Sequence, residues 1–466
     1  MTSKIQNKMF NDLKDKSLFI QAQEYANEYI DNSFNRNVFP TSEALNNLSI
    51  FDESFPQETS NAQEVISKLN KYGAPATLTN IAGRYFGFVI GSSVPVGLAA
   101  KHLATYWDQN SCLNVTSPIS SKLEVVVEGW LKELFGLPDK TVAGFVSGTS
   151  MANFCGLAAG RYRIFQRQGW DVNRKGFFNA PKIRIVAGTH AHSAVMRAVS
   201  LLGFGTENIE WVEADEQGRM RADLVPELDS KTILILQAGN VNSGAFDPFE
   251  EICKKAKKAN AWVHIDGAFG LWAGATDKFK HLTNGMEMAN SFAVDAHKTL
   301  NTPYDSGIVL CNDNEAIISA LNMQAGYIIL SKEKDSMYYT PEMSRRARIF
   351  EIWATLKYLG RDGINQMINE FHERATQFAE GIKTIEGFEL LNQVDFNQII
   401  VKCESDTVTN KVLSKIQELR ECWVGGSTWN GKKVIRISVC SWTTTENDIE
   451  RSLASFKEAY TSTKNV

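Results

Sequence analysis

The sequence predicts an α/β protein: a large domain built on a mostly parallel seven-stranded sheet, followed by a small α+β domain at the C-terminal end. Three observations predict it. Seven short apolar runs, at 141–147, 183–188, 209–213, 232–237, 262–266, 291–295 and 307–311, recur through the middle of the chain. Five of these seven show little polar alternation, the mark of strands covered on both faces. Stretches with helical spacing, at 151–168, 193–202 and 249–260, separate them, and such alternation gives a parallel sheet flanked by helices.

The remaining elements follow in chain order. Residues 11–33 carry apolar side chains at helical spacing (Leu13, Leu18, Phe19, Ala22, Tyr25, Ala26, Tyr29), and 34–63 read as loop with a second helix starting near its end. This arm, 1–75, has little core of its own and is expected to pack elsewhere or on a second subunit. The large domain is placed at 76–344 and the small domain at 345–466. In the small domain a long amphipathic helix runs over 349–386 with a break near 360–363, followed by strands at 388–391, 398–403 and 434–440 and helices at 407–420 and 446–460.

Composition narrows the function classes. At about 100–200 residues per domain, 466 residues make two or three domains. Hydrophobic residues at 43% and charged residues at 22% fit a globular enzyme, too apolar for disorder. The net charge of −4 provides no basic field for nucleic acid or an anionic membrane, which leaves small-molecule chemistry. No run approaches the roughly 20 apolar residues that span a bilayer, and residues 1–20 lack the apolar stretch of a secretory signal. The seven cysteines (Cys112, Cys155, Cys253, Cys311, Cys403, Cys422, Cys440) are scattered, with no CxxC pair and no Cys/His cluster at zinc spacing. Free thiols in a cytoplasmic protein, with no metal site, are expected.

Ligands of parallel sheets bind beyond the carboxyl ends of the strands, so polar residues after the apolar runs are where chemistry is sought. Four segments stand out. Lys298, in Asp295-Ala296-His297-Lys298-Thr299, ends a buried strand, where desolvation lowers an amine's pKa and readies it for imine chemistry; the alternative is a surface lysine. Asp266 ends a strongly apolar strand before Gly267-Ala268, where a carboxylate can hold a pyridinium proton or merely cap the next turn. Ser147-Gly148-Thr149 leads into a helix whose free N–H groups bind phosphate or are simply capped. Gly188-Thr189-His190-Ala191-His192-Ser193 sets two imidazoles at a strand end, able to stack on a planar cofactor or serving as satisfied structural histidines. There is no GxxxxGK[ST] and no GxGxxG turn, so nucleotide binding is disfavoured.

Taken in order, these segments resemble the pyridoxal-5′-phosphate (PLP) enzymes of the aspartate-aminotransferase fold, fold type I, and most closely their group II amino acid decarboxylases. The resemblance runs over about 80–456. It implies that Lys298 forms an aldimine with PLP, that Asp266 pairs with the pyridine nitrogen, and that His192 and Ala268 lie on opposite faces of the ring. It places the phosphate at Ser147, Gly148, Thr149 and His297, with Asp295 beside them, and the ring hydroxyl near Asn240 and Asn242, where relatives usually carry threonine. The reaction it implies is α-decarboxylation of an L-amino acid, aromatic by preference, in a homodimer whose active sites lie at the subunit interface and whose N-terminal arm clasps the partner.

The chain departs from the family in places. Thr299 stands where tryptophan is common. Relatives protonate the product from a tyrosine on a mobile loop; the matching region, 328–343, is compressed and offers Tyr338 and Tyr339, with Tyr339 the candidate catalytic residue. Arg436 matches an arginine that can bind a substrate carboxylate, or it pairs within the small domain. Residues 84–88 and 107–110, which include Tyr85, Phe86, Phe88 and Trp107, fall where relatives line the substrate side, and such aromatics either cover a flat substrate or pack in the core. Aldehyde synthesis, transamination, C–C lyase action, decarboxylation of acidic or diamino acids, and a catalytically silent binding role are the competing readings.

Overall fold

The computed structural model describes residues 3–321 and 333–464, which build two sheets and the helices around them. The first sheet holds β1 (Val142–Val146), β2 (Arg184–Gly188), β3 (Ile209–Val212), β4 (Thr232–Gln237), β5 (Trp262–Asp266), β6 (Ser291–Asp295) and β7 (Gly307–Cys311). Their order is β1-β7-β6-β5-β4-β2-β3. Pairing is parallel from β6 through to β3, and β7 runs antiparallel to both β1 and β6. Each strand falls on one of the apolar runs.

The helices are α1 (Lys4–Lys14), α2 (Ser17–Ser33), α3 (Ser42–Asn46), α4 (Ala62–Lys68), α5 (Pro95–Trp107), α6 (Pro118–Phe135), α7 (Thr149–Arg167), α8 (Val172–Lys175), α9 (Ser193–Leu201), α10 (Phe249–Lys258), α11 (Asn314–Leu321), α12 (Ile349–Lys383), α13 (Asp406–Leu419) and α14 (Glu446–Lys464). Helical structure in the arm begins earlier than expected and is interrupted at Asp15–Lys16, where the Asp15 carboxylate accepts the Ser17 N–H at 3.0 Å and starts a new helix. The break in α12 falls at Gly360, whose φ of 58° lies in the left-handed region.

Successive residues of a strand point to opposite faces, and here this divides the core in two. Leu234, Leu236, Val263, Ile265, Phe292 and Val294 face a cluster completed by α6, α10 and α12. Ile233, Ile235, Trp262, Ala293 and Val309 face the other, completed by α7, α9 and α11. Helix α7 lies very close to β5. A Cβ at Gly156 would stand 2.7 Å from the His264 ring, and one at Gly160 would stand 2.8 Å from the Trp262 ring.

The second sheet is antiparallel, in the order β10-β11-β9-β8, from β8 (Glu389–Leu390), β9 (Gln398–Lys402), β10 (Gly425–Trp429) and β11 (Lys432–Ser438). Strand β10 is absent from the sequence reading because Gly425-Gly426-Ser427-Thr428 has no apolar alternation. Its signal is the turn: Asn430 and Gly431 both take positive φ, 47° and 77°, as a tight hairpin requires.

All seven cysteines are free and buried. Among the described residues, no helix is long and apolar enough to cross a membrane.

One buried arginine joins the segment after α2 to the residues that follow α13 and to α14. Arg84, 1% exposed, donates to the carbonyls of Phe34 (3.2 Å), Arg36 (2.9 Å) and Glu421 (2.9 Å) and to Asp448 Oδ1 (3.2 Å). Arg84→Met leaves these acceptors unpaired and is expected to cost about 3–5 kcal/mol, read from the urea midpoint and slope. A loss below about 1 kcal/mol would show the junction to be dispensable.

Candidate active site

Two strands of the large sheet end in carboxylates that water barely reaches: Asp266 on β5 is 4% exposed and Asp295 on β6 is 2% exposed. Asp266 Oδ1 accepts the Ala268 N–H and Oδ2 accepts the Asn153 Nδ2–H, each at 3.2 Å. Burial is the largest influence on this group and raises its pKa, while the charges of His192 and Lys298 and the two hydrogen bonds pull it back without cancelling the rise.

Asp295 has the opposite balance. Its Oδ1 accepts the Thr149 N–H at 2.7 Å, at the start of α7, and its Oδ2 lies 2.9 Å from Lys298 Nζ and 3.6 Å from His297 Nε2. Burial again pushes its pKa up, but the charges of Lys298 and His297, with the hydrogen bonds the carboxylate accepts, outweigh it and hold the carboxyl below its ordinary value. Lys298 corrects an expectation. Burial does push its pKa down, yet the Asp295 charge and hydrogen bond, with Asp266 behind them, reverse the sign, so the amine is held as an ammonium.

The imidazoles are oriented by backbone groups. His192 precedes α9 and caps it, Nδ1 accepting the Ala194 N–H at 3.2 Å; the ring proton is thereby assigned to Nε2, and burial lowers the pKa. His297 Nδ1 accepts the Ser306 N–H at 3.0 Å, and its ring lies against Tyr304 with centroids 4.2 Å apart.

The turn 147–149 differs from a simple anion cradle, because the Thr149 N–H already serves Asp295. What it offers instead is the Thr149 hydroxyl, buried and without a hydrogen-bond partner. Gly307 lets β7 pass against this turn, since a Cβ there would stand 2.4 Å from the Gly148 Cα. In the loop after β4, Asn240 Oδ1 accepts the N–H groups of Asn242 (2.9 Å) and Ser243 (3.3 Å), which leaves its buried Nδ2 unpartnered. Asn242 Oδ1 accepts the Ser427 hydroxyl at 2.7 Å, from the small domain.

Lys298, Asp266, His192, Ala268, Asp295 and His297 thus come together around the carboxyl ends of β5 and β6. Tyr339 does not join them. Its ring lies 4.5 Å from Lys334 Nζ and packs on the cluster of α7, α9 and α11, under the influence of Glu124 and Glu128 of α6. Tyr338 feels Asp335. Residues 328–332 of the expected loop lie outside the described residues. Arg436 Nη2 donates to the Phe88 carbonyl at 3.1 Å, while its charge reaches His192 and its buried Nε has no partner. Tyr85 and Phe86 are buried core, 3% and 0% exposed, whereas Phe88 is 67% exposed.

The sequence reading missed three residues that shape the site. Asn153 donates to Asp266, and His264 Nε2 lies 2.8 Å from Asn153 Oδ1. Asn301 ties the loop after Lys298 to the small domain through the Cys440 carbonyl at 2.9 Å. The spacing of Asn153 four residues after Thr149, on one face of a helix, was the available signal. Nothing local marks the other two.

The donor set fits PLP: an amine for its aldehyde, a buried carboxylate for its ring nitrogen, a neutral imidazole for its ring face, and two buried polar atoms, Thr149 Oγ1 and Asn240 Nδ2, that still lack partners. Comparisons with known proteins point the same way. The profile of the pyridoxal-dependent decarboxylase conserved domain matches residues 45–403. Tyrosine decarboxylase 2 of Narcissus pseudonarcissus is 23% identical over 443 residues, 88% of this chain and 87% of the relative. Histidine decarboxylase of Drosophila melanogaster is 27% identical over 454 residues, 91% of this chain but 52% of the relative, so the chain spans about half of that protein. A crystal structure of Oryza sativa TDC with PLP and tryptamine matches with a TM-score of 0.87 at 19% identity, covering 96% of this chain and 97% of that one.

His264, fully buried, has its pKa pushed from 6.5 down to about 3. Below about pH 6.5 the unfolded chain takes a proton that the folded one refuses until about pH 3, so folding weakens as pH falls through that window. Relative to His264→Gln, the native protein is expected to lose about 1.4 kcal/mol per pH unit. Chemical denaturation at several pH values measures this, and a flat difference between the two proteins contradicts it.

Proposed function

This chain belongs to the pyridoxal-dependent decarboxylase family, and from that premise we propose that it removes the α-carboxylate of an aromatic L-amino acid, with Lys298, Asp266 and His192 at the centre of the reaction. It is a PLP-dependent amino acid carboxy-lyase. The observation that carries the residue assignment is the meeting of an ammonium, two buried carboxylates and a neutral imidazole beyond the strand ends, where ligands of such sheets bind.

PLP, when bound, supplies an aldehyde that condenses with amines and a ring that withdraws electrons from the bond being broken. The chain's own residues do the rest. Lys298 provides the amine that would hold the aldehyde, and Asp295, 2.9 Å away, positions that amine and stabilises its charged form. Asp266 would accept a hydrogen bond from the protonated ring nitrogen and so keep that proton on the ring, and the helix-capping bond of His192 orients the imidazole that would face the ring, with Ala268 on the other side. Thr149 Oγ1, with Ser147, Gly148 and His297, would hold the phosphate, while Asn240 Nδ2 is a buried donor without a partner on the loop after β4.

The aromatic preference is supported by Phe88. Its backbone takes a left-handed φ of 55°, its carbonyl is held by Arg436 Nη2 and by Ser438 Oγ at 2.8 Å, and its ring is left exposed to cover a flat side chain. The names of the tyrosine and histidine decarboxylases that the chain resembles lean the same way. A homodimer is supported by the uncovered stripe Ile5, Met9, Phe10 and Leu13 on α1 and by exposed Leu103, Tyr106 and Trp107 on α5, apolar surface that a second copy would bury.

A second reading is oxidative formation of an aldehyde with consumption of dioxygen, and the packing of the Tyr339 ring on Lys334, with the Nζ 4.5 Å from its centroid, favours it. Product analysis separates amine and carbon dioxide from aldehyde, ammonia and peroxide.

A panel of amino acids assayed for carbon dioxide release tests the substrate class. Tyrosine, tryptophan or histidine is expected to give the highest kcat/KM, and preference for glutamate overturns the aromatic reading. Lys298→Ala is expected to abolish both turnover and the visible absorption of bound PLP. Asp266→Asn is expected to retain PLP while lowering kcat by about 10²–10³-fold; near-normal turnover in either variant removes the assigned role.

A further inference from the structure

We propose that Asn153 is a positioning residue: a one-way chain of hydrogen bonds from Trp262 through Ser291 and His264 turns its amide so that Asp266 is fixed as an acceptor for the cofactor's ring proton. This rests on the reading that Asp266 faces the ring nitrogen.

The direction of the chain follows from which groups can donate. An indole N–H cannot accept, so Trp262 Nε1 donates to Ser291 Oγ, 3.0 Å away. The single hydroxyl hydrogen of Ser291 then goes to His264 Nδ1 at 2.8 Å, since its other acceptor, the Gly156 carbonyl, is more distant at 3.4 Å. With Nδ1 accepting, His264 carries its proton on Nε2 and donates to Asn153 Oδ1 at 2.8 Å. The amide oxygen is thereby committed, and Nδ2 must face Asp266 Oδ2, at 3.2 Å. A reversed amide would set its oxygen against a carboxylate oxygen with no hydrogen between them.

The chain is dry. Ser291, His264 and Asn153 are 0% exposed and Trp262 is 1% exposed, so bulk solvent does not compete for these hydrogen bonds. It also works only with a neutral imidazole, which burial of His264 enforces. Helix α7 is shaped to admit that ring. Gly156 stands where any Cβ would come within 2.7 Å of it, although glycine inside a helix is destabilising relative to alanine. The other groups bearing on Asp266 are the Ala268 N–H, His192 before α9 and Lys298 after β6. Asn153 reaches it from α7, at the end of a chain whose polarity is set by Trp262.

The test loads the native protein and the variants Asn153→Leu, Ser291→Ala and His264→Gln with PLP isotopically labelled at its ring nitrogen, and reads that nitrogen's NMR shift against pH beside PLP affinity. The native protein is expected to keep the shift of a protonated ring between about pH 6 and about pH 9. Asn153→Leu is expected to lose it within that range, with kcat down about 10–100-fold, the loss of one hydrogen bond to a charged group, and little change in KM. Ser291→Ala moves in the same direction, and His264→Gln, whose amide still donates to Asn153, restores most of the native curve. A native shift-versus-pH curve in Asn153→Leu overturns the proposal, and where that variant does not fold, a native curve in Ser291→Ala overturns it. A native protein that takes up no PLP, or whose ring shift is unmoved by Asp266→Asn, overturns the underlying reading instead.

Discussion

A carboxylate taken out of water must be given hydrogen-bond donors or opposite charge, or it protonates, and the arrangement around the strand ends answers that requirement for Asp266. Both of its oxygens receive one N–H, from Ala268 and from Asn153. The second donor exists only because α7 lies close enough to β5 for a helix side chain to reach the strand's last residue. That approach depends in turn on Gly156 and Gly160, which leave room for the His264 and Trp262 rings. The packing of one helix on one strand and the ionisation of one side chain are therefore the same problem.

Helix α7 meets the second buried carboxylate as well. Thr149 gives its backbone N–H to Asp295, and Asn153, four residues on and on the same face, gives its side chain to Asp266. One rigid element thus sets the spacing of two acids that lie on different strands. Asp295 then determines the state of Lys298, whose charge it stabilises against burial. Beyond the lysine, Asn301 accepts the Ser92 N–H at 3.0 Å and the Trp442 N–H at 3.1 Å on one oxygen while its amide serves Lys298, Thr299 and Cys440, so the segment over the site and the small domain share a single side chain.

Much of this was legible before any coordinates. The seven strands were visible because a strand covered on both faces must be apolar along its whole length, and the chemistry-bearing residues were visible because they follow those runs at once. The hairpin strand β10 was hidden because its residues are glycine, serine and threonine at a sheet edge, where pairing rather than side-chain burial makes the strand. The placement of Tyr339 on Lys334, away from Lys298, was also hidden, since two residues some 40 positions apart in the chain carry no local sign of their separation in space.

The sequence by itself determined the α/β architecture and the strand-end position of Lys298, Asp266 and His192, because periodicity and local residue order are one-dimensional properties, and the resemblance of those segments to a known family implied the cofactor. Only the tertiary structure decided the protonation states. Lys298 is an ammonium because Asp295 lies 2.9 Å away, and Asp266 is an acceptor because a helix 113 positions earlier turns an amide towards it. The pKa of a buried group is set by the few ångströms around it, and which groups occupy those ångströms is settled by how strands and helices pack.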